Sequence, residues 1–121
     1  MNRAKNIRRG HDAEQRAQAF LQNRRLDTVA HNYHTRFGEI DLVMRDGDTL
    51  VFVEVRQRRS HAYGSAAESI TPDKQAKIIR TAHAFLQTHR HHGPVRFDVV
   101  TFDGVVAATP TWIKNAFAAE W

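Results

Sequence analysis

The chain has no cysteine among its 121 residues. This absence excludes disulfide frameworks, cysteine-ligated zinc, iron–sulfur clusters and cysteine nucleophiles. The chain also lacks any apolar run that approaches the roughly 20 residues of a membrane-spanning helix. Its basic N-terminus, residues 1–10, is followed by no apolar stretch and so does not resemble a secretory signal. We therefore expect a cytoplasmic protein that does not associate with membranes.

The length, composition and net charge of the chain limit the classes of protein to which it can belong. A chain of this length fits one domain, and we expect residues 1–121 to form a single one, without internal repeats or linkers. Hydrophobic residues make up 41% of the chain, which is ordinary for a globular protein. The formal net charge is +5 and the sequence pI is ≈ 10.2. This excess of basic residues favours a protein that binds nucleic acid over one whose basic surface only keeps it soluble.

Hydrophobic periodicity predicts a mixed α/β protein. An apolar pattern on both faces of the central strands indicates that helices cover both sides of a sheet. The long helix between the last two predicted strands indicates a crossover to a parallel neighbour. The predicted elements are a helix at 11–24 capped by Asp12, a weak strand at 26–33, strong strands at 37–44 and 49–56, a loop at 57–71, a helix from Thr71 to about 89, a strand at 95–102 and a short helix at 111–117.

Acidic residues lie on the predicted hairpin between the two strong strands. The Asp-Gly pair at 46–47 is typical of a two-residue hairpin turn, and that turn places Glu39 opposite Glu54. Asp41 then lies diagonal to Glu54, at roughly 7–8 Å. Because side chains alternate faces, these three acids and Arg56 project from one face, at the end of the hairpin away from the turn.

This arrangement is unfavourable unless something compensates for it. Glu39 and Glu54 would be like charges in directly opposite positions, and Glu54 interrupts an apolar run. A buried carboxylate without a partner costs several kcal/mol or takes up a proton. A divalent cation would compensate directly, since Mg²⁺ prefers one or two carboxylates, water and phosphate oxygens. The alternative is a set of structural ion pairs with Arg56 and a neighbouring base.

The same residues resemble a known nuclease pattern. The runs 38–43 (Gly-Glu-Ile-Asp-Leu-Val) and 51–56 (Val-Phe-Val-Glu-Val-Arg) resemble the metal-binding half of the PD-(D/E)XK, or restriction-endonuclease-like, nucleases. More narrowly, nearly the whole chain resembles the uncharacterised bacterial YraN family. The positions that carry this narrower resemblance are Gly10, Ala13-Glu14, Asn32, Arg36, the run 38–43, Glu54-Val55-Arg56, Glu68-Ser69-Ile70 and Lys74.

The resemblance implies a restriction-endonuclease-like fold, with a central mixed β-sheet, a core hairpin at about 37–56 and helices on both faces. It also implies an endonuclease that depends on Mg²⁺ or Mn²⁺ and acts on branched or otherwise structured nucleic acid, DNA more readily than RNA. In that superfamily the residues matching Asp41 and Glu54 hold the metal. Glu14 matches an acid that often completes the site, and Glu39 is a further candidate for a ligand or for positioning water.

The third signature position departs from the superfamily pattern, which usually has lysine where this chain has Arg56. Arginine keeps its proton and cannot act as a base, although it can stabilise charge on the reacting phosphate. Lys74, at the start of the second predicted helix, is a candidate for the missing role. The alternative is a degenerate site in a module that binds nucleic acid without cutting it.

Further expectations concern partners. Four basic residues, Arg36, Arg58, Arg59 and Lys74, are candidates for nucleic-acid binding because they flank the predicted site. A homodimer would supply two sites for cutting two strands. The remaining hypothesis is a subunit that docks on another DNA-processing protein.

Overall fold

The computed structural model describes residues 3–58, 70–104 and 109–119, with side chains from residue 11 onward. The described residues form two helices and a five-stranded sheet. No helix in these ranges is long and apolar enough to cross a membrane. The elements are α1 (Arg3–Gln22), β1 (Asp27–Thr35), β2 (Gly38–Asp46), β3 (Thr49–Arg58), α2 (Pro72–His89), β4 (Val95–Asp103) and β5 (Thr111–Phe117).

The order of strands in the sheet is the order in the chain, β1-β2-β3-β4-β5. The pairs β1–β2, β2–β3 and β4–β5 are antiparallel, whereas β3 and β4 are parallel and are connected through α2. This confirms the predicted mixed sheet and the parallel crossover. The helix at 71–89 is also confirmed: Thr71 caps α2 through a bond from the Lys74 N–H to its hydroxyl (3.2 Å), and Pro72 is the first helical residue.

Helices cover both faces of the sheet, as predicted. On one face, α1 packs its small and apolar stripe, Ala13, Ala17 and Leu21, against β2, β3 and β4. On the other face, α2 packs Ile78, Ala82 and Phe85. These residues follow one another at three- and four-residue spacing, so each helix presents one apolar stripe to the sheet. The central strands are therefore buried from both sides, which makes any charge within them costly.

The first helix begins earlier than predicted. We expected a start at Asp12, but α1 already begins at Arg3, and Asp12 lies exposed inside it. Residues 3–9 contain mostly good helix formers, so the helix continues backward beyond the local capping signal. The predicted weak strand is confirmed and extended, from 26–33 to Asp27–Thr35.

The predicted short helix at 111–117 is wrong, because these residues form β5, an edge strand antiparallel to β4. Its register shifts between Phe97 and Val99, and Asn115 takes a left-handed backbone (φ 54°) at that irregularity. There the Asn115 N–H donates to the buried carboxylate of Asp98 (2.9 Å), which also accepts from Trp112 Nε1 (2.9 Å). The bulge interrupts the alternation of buried and exposed residues that identifies a strand, and the residue that holds it, Asp98, lies in β4. The sequence of residues 111–117 therefore did not reveal the strand.

The register of the β2–β3 hairpin also differs from the prediction. Asp46 pairs with Thr49, so the two loop residues are Gly47 and Asp48 instead of Asp46 and Gly47. Gly47 has φ 61° at the first loop position, where a type II′ turn requires glycine. The shift moves every cross-strand pair by two residues. Because two is an even number, it leaves each side chain on the predicted face.

Candidate active site

Asp41 and Glu54 come together where β2 and β3 separate. The backbone ladder of this hairpin ends at Leu42 paired with Val53. The next residue of each strand is an acid, so Asp41 lies directly opposite Glu54, not diagonal to it as expected. The predicted opposition of Glu39 and Glu54 is therefore wrong. In place of a strand carbonyl, the Asp41 Oδ2 accepts the Val55 N–H (2.8 Å).

Both carboxyl groups are buried. Asp41 is 7% exposed and Glu54 is 5% exposed. Burial, the charge of Glu54 and a hydrogen bond between the two carboxyl groups raise the pKa of Asp41 to about 8, although the Val55 N–H opposes this shift. At neutral pH Asp41 is therefore protonated, and its O–H donates a hydrogen bond to the Glu54 carboxylate. The pair therefore shares one proton in a place where two negative charges would repel each other.

Among the residues that the structure describes, Lys74 places a positive charge against this pair. Its Nζ lies 2.9 Å from the Glu54 Oε2, and the lysine side chain is 45% exposed while Glu54 is buried. The Lys74 backbone N–H is the group that Thr71 caps, so the start of α2 fixes where this side chain leaves the helix. The ammonium group thus reaches the acids from the helix and not from the strand position that Arg56 occupies.

A cleft of ≈ 390 Å³ opens over the two acids. The β2 and β3 side of the cleft carries both carboxyl groups, and the first two turns of α2 form the opposite wall. Its described lining residues are Gly38, Glu39, Asp41, Glu54, Thr71, Asp73, Lys74, Lys77 and Ile78. The cleft holds the acids at its floor and two lysines on its wall, which is a suitable environment for an anionic ligand that brings a cation with it.

Two further acids lie around this pair. Glu39 lines the cleft, is about half exposed and contacts His34, with its Oε2 3.1 Å from the His34 Nδ1. Glu14, on α1, is half-buried and lines a neighbouring pocket with His11 and His31, and it is not among the described residues that line the cleft. Burial raises the pKa of Glu14, the charges of Glu39 and Glu54 add to the rise, and His11 and His31 oppose it. The charge of Glu14 therefore interacts with those of the other three predicted acids, although Glu14 lies outside the cleft.

The predicted basic residues take different places. Arg56 is half-buried on β3 and is not among the described residues that line the cleft, whereas Lys74 is. Arg58 pairs with Asp103 on β4, with 2.8 Å between Nε and Oδ1. Arg36 is exposed in the turn between β1 and β2. Arg59 lies outside the described residues.

The donor set suits a hard cation of the magnesium type. Within the described residues, no three His, Cys, Asp or Glu side chains are grouped as a cage for a metal ion. Asp41 and Glu54 would therefore hold a cation as two carboxylates, with water and phosphate oxygens completing its shell in the open cleft, as Mg²⁺ prefers. A cation in this place would displace the shared proton and relieve the repulsion between the two acids.

Sequence reasoning did not identify Lys77 or Phe37 as residues of this region. Lys77 was not among the predicted basic residues, yet it lines the cleft three residues after Lys74. Phe37 stands directly before Gly38 and is 36% exposed. The signal that could have revealed Phe37 is an aromatic residue between a basic residue and the glycine of a turn.

Comparison with known proteins gives a consistent family match. The model of a family described as "Uncharacterised protein family UPF0102" matches residues 13–102. A UPF0102 protein of Nitrosomonas europaea is 52% identical over 109 residues, which covers 90% of this chain and 92% of that protein. A UPF0102 protein of Nitrosospira multiformis is 50% identical over 113 residues, 93% of this chain and 95% of that protein. One of Herminiimonas arsenicoxydans is 47% identical over 107 residues, covering 88% and 84%.

Proposed function

We propose that this chain, which belongs to uncharacterised protein family UPF0102, also known as the YraN family, is a metal-dependent endonuclease with a restriction-endonuclease-like fold. Its substrate would be branched or otherwise structured DNA, and its reaction the hydrolysis of a phosphodiester bond. Mg²⁺ or Mn²⁺ would be the cofactor, held by Asp41 and Glu54.

The observation that carries this proposal is the buried pair of acids in an open cleft. Two carboxyl groups that share a proton at the centre of a sheet are destabilising, and such strongly perturbed groups in a cleft are typical of functional sites. A purely structural pair would be expected in a closed core with a matching number of basic partners. Among the described residues, Lys74 contacts Glu54, and the cleft of ≈ 390 Å³ that both acids line is large enough for a phosphate group.

Each acidic or basic residue at the cleft would have a separate role in the proposed reaction. A bound divalent cation would polarise the phosphate and lower the pKa of the attacking water. Glu39, exposed in the cleft, would accept the proton that this water loses. Lys74 would stabilise the charge that develops on the phosphate oxygens, and Arg56 would add to this field from β3. Glu14 would orient the metal-binding acids from α1.

The test is cleavage by purified protein on a panel of branched, flapped and single-stranded DNA, with Mg²⁺ or Mn²⁺. We expect Asp41→Ala and Glu54→Ala each to reduce the rate at least about a hundredfold, since losing one preorganised electrostatic group costs about that much. Asp48→Ala is the matched control, because Asp48 is an exposed acid in the hairpin turn. Cleavage that persists in both site variants would come from a contaminant and would contradict the proposal.

A second variant separates a working site from a degenerate one. Arg56→Lys restores the residue type that the superfamily usually has at this position. If Lys74 already performs that role, we expect cleavage by Arg56→Lys to change less than about threefold, whereas Lys74→Ala should lose at least about tenfold. Cleavage that appears only in Arg56→Lys would indicate that the natural chain is a binding module with an incomplete site.

A further inference from the structure

An aromatic ring is exposed beside the cleft. Phe37 and Val29 are the large apolar side chains that are exposed among the side chains the structure describes. Phe37 lies in the turn between β1 and β2, and the next residue, Gly38, lines the cleft. Single exposed apolar residues are common and need no explanation by themselves. The surroundings of Phe37, however, set it apart from Val29.

Two guanidinium groups lie over the ring of Phe37. The Arg36 Cζ lies 5.0 Å from the ring centroid, and the Arg80 Cζ lies 6.0 Å from it. Both arginines are exposed. A partly exposed aromatic ring in contact with arginines suits single-stranded nucleic acid, because such a ring can stack on a base while the cations contact the adjoining phosphates.

A row of basic residues connects this ring with the acids. Lys74, Lys77 and Arg80 follow one another at three-residue spacing along α2. Lys74 contacts Glu54 at one end of the row, and Arg80 lies over Phe37 at the other. Six residues of helix span roughly 9 Å along its axis. The row therefore spans the short distance between the acids and the ring.

The middle of the row lies close to the turn that carries the ring. A Cβ placed on Gly38 would lie 3.6 Å from the Lys77 Cβ and 3.5 Å from the Thr81 Oγ1. Gly38 also has φ 153°, which a residue with a side chain rarely adopts. This glycine thus lets the turn that carries the ring pass close against α2, beside Lys77.

We propose that Phe37 stacks on an unpaired base of the substrate, with Lys77, Arg36 and Arg80 contacting the phosphates beside it. In a duplex both faces of a base are covered by its neighbours, so a fixed aromatic ring reaches only a base that has left the stack. The inference rests on the proposed function and names its substrate class: nucleic acid with an unpaired nucleotide next to the scissile bond, such as a flap, a branch or a single strand.

The test measures binding without cleavage. Fluorescence anisotropy of a labelled single strand and of the matched blunt duplex is recorded in buffer with a chelator, so catalysis does not enter. We expect the single strand to bind more tightly than the duplex. Phe37→Ala should weaken single-strand binding at least about fivefold. Phe37→Trp should retain it, and Val29→Ala, the matched exposed apolar control, should leave it unchanged.

A single-strand series in which each nucleotide in turn is abasic then identifies the stacked base. One abasic position should weaken binding by the natural protein but not by Phe37→Ala, because that variant has no ring to lose contact with. Equal effects of Phe37→Ala and Val29→Ala, tighter binding of the duplex, or no nucleic-acid binding at all would each overturn the inference. Cleavage that still requires Asp41 and Glu54 would leave the proposed nuclease standing without the stacking site. Stacking without cleavage would leave only a binding module.

Discussion

At the scale of single residues, the site depends on how Asp41 is held. Its carboxyl group ends the β2–β3 ladder by accepting the Val55 N–H, and it shares a proton with Glu54. The first contact fixes the position of the group, and the second disfavours its charge. The side chain is thus fixed in position and is mostly neutral at pH values below about 8. Lys74 contacts the other carboxylate, so the two acids have separate partners.

This arrangement predicts a pH-dependent stability. The unfolded Asp41 titrates near its ordinary pKa of 3.8, and the folded one near 8. Between these values the folded chain keeps a proton that the unfolded chain has lost, so the free energy of unfolding should fall as pH rises from about 4 to about 8. In chelator, Asp41→Asn should remove most of this slope and stabilise the protein at pH 8 by a few kcal/mol, on the order set by 1.36 kcal/mol per pKa unit.

Urea denaturation at a series of pH values measures this effect, and the exposed acid variant Asp48→Asn should keep the slope of the natural chain. Added Mg²⁺ should stabilise the natural chain more at pH 8.5 than at pH 6, since binding must expel the shared proton. A natural chain whose stability is independent of pH between 5 and 8 in chelator would contradict the shared proton.

At the scale of elements, β5 shows what a local pattern can and cannot reveal. Its apolar residues, Trp112, Ile113, Ala116 and Phe117, follow a spacing that fits a helix. The same spacing arises in a strand when a bulge resets the alternation, and here the bulge is held by Asp98 from β4. Because Asp98 lies outside the seven residues of β5, the sequence of β5 alone does not indicate the bulge. The helix α2 carried its own cap and proline and was predicted correctly.

The anchor of β5 can be tested directly. Asp98 is 1% exposed, accepts from Trp112 and Asn115 on β5, and pairs with the half-buried Arg96 (Nε to Oδ1, 2.9 Å). Asp98→Asn removes the charge and at least one acceptor, so we expect about 2–4 kcal/mol of lost stability.

Chemical denaturation measures this loss, with Asp27→Asn, an exposed acid at the start of β1, as the control. The tryptophan emission of the folded variant should also shift, because the Trp112 indole loses its acceptor. A loss below about 0.5 kcal/mol would contradict the proposed anchoring.

The placement of the two acids was predicted correctly where it depended on alternation, and placements that depended on distant packing were not predicted. Asp41 and Glu54 were assigned to one face, and this survived a wrong register because the error was an even number of residues. Their direct opposition was missed, since it follows from which residues form the turn. The exposure of Phe37 and its contact with Arg80 require α2 to lie against the β1–β2 turn, and no local pattern encodes that.

At the scale of the whole molecule, the net charge of +5 favours association with polyanions, and we expect the basic row on α2 to be the place where they bind. Binding of a single strand should weaken as salt rises, with a logarithmic slope of about 0.7 per phosphate contacted. Lys77→Gln should lower that slope by roughly one contact. Lys114→Gln should leave it unchanged, because Lys114 lies on β5 over Trp112, in an edge strand remote from the cleft.

Anisotropy titrations at several salt concentrations provide these slopes. Equal slopes for the Lys77 and Lys114 variants would show that the attraction is spread over the surface and is not concentrated along α2.

The agreement between strand order and chain order has a consequence for biosynthesis. Both acids lie within the first three strands, which pair only with their neighbours, so a nascent chain can assemble the hairpin before α2 is made. At that stage neither Lys74 nor Arg80 exists, and the carboxyl pair stands without its ammonium partner. The two acids of the cleft are therefore synthesised first. When α2 follows, it adds the lysines of the cleft and the guanidinium group over Phe37 together.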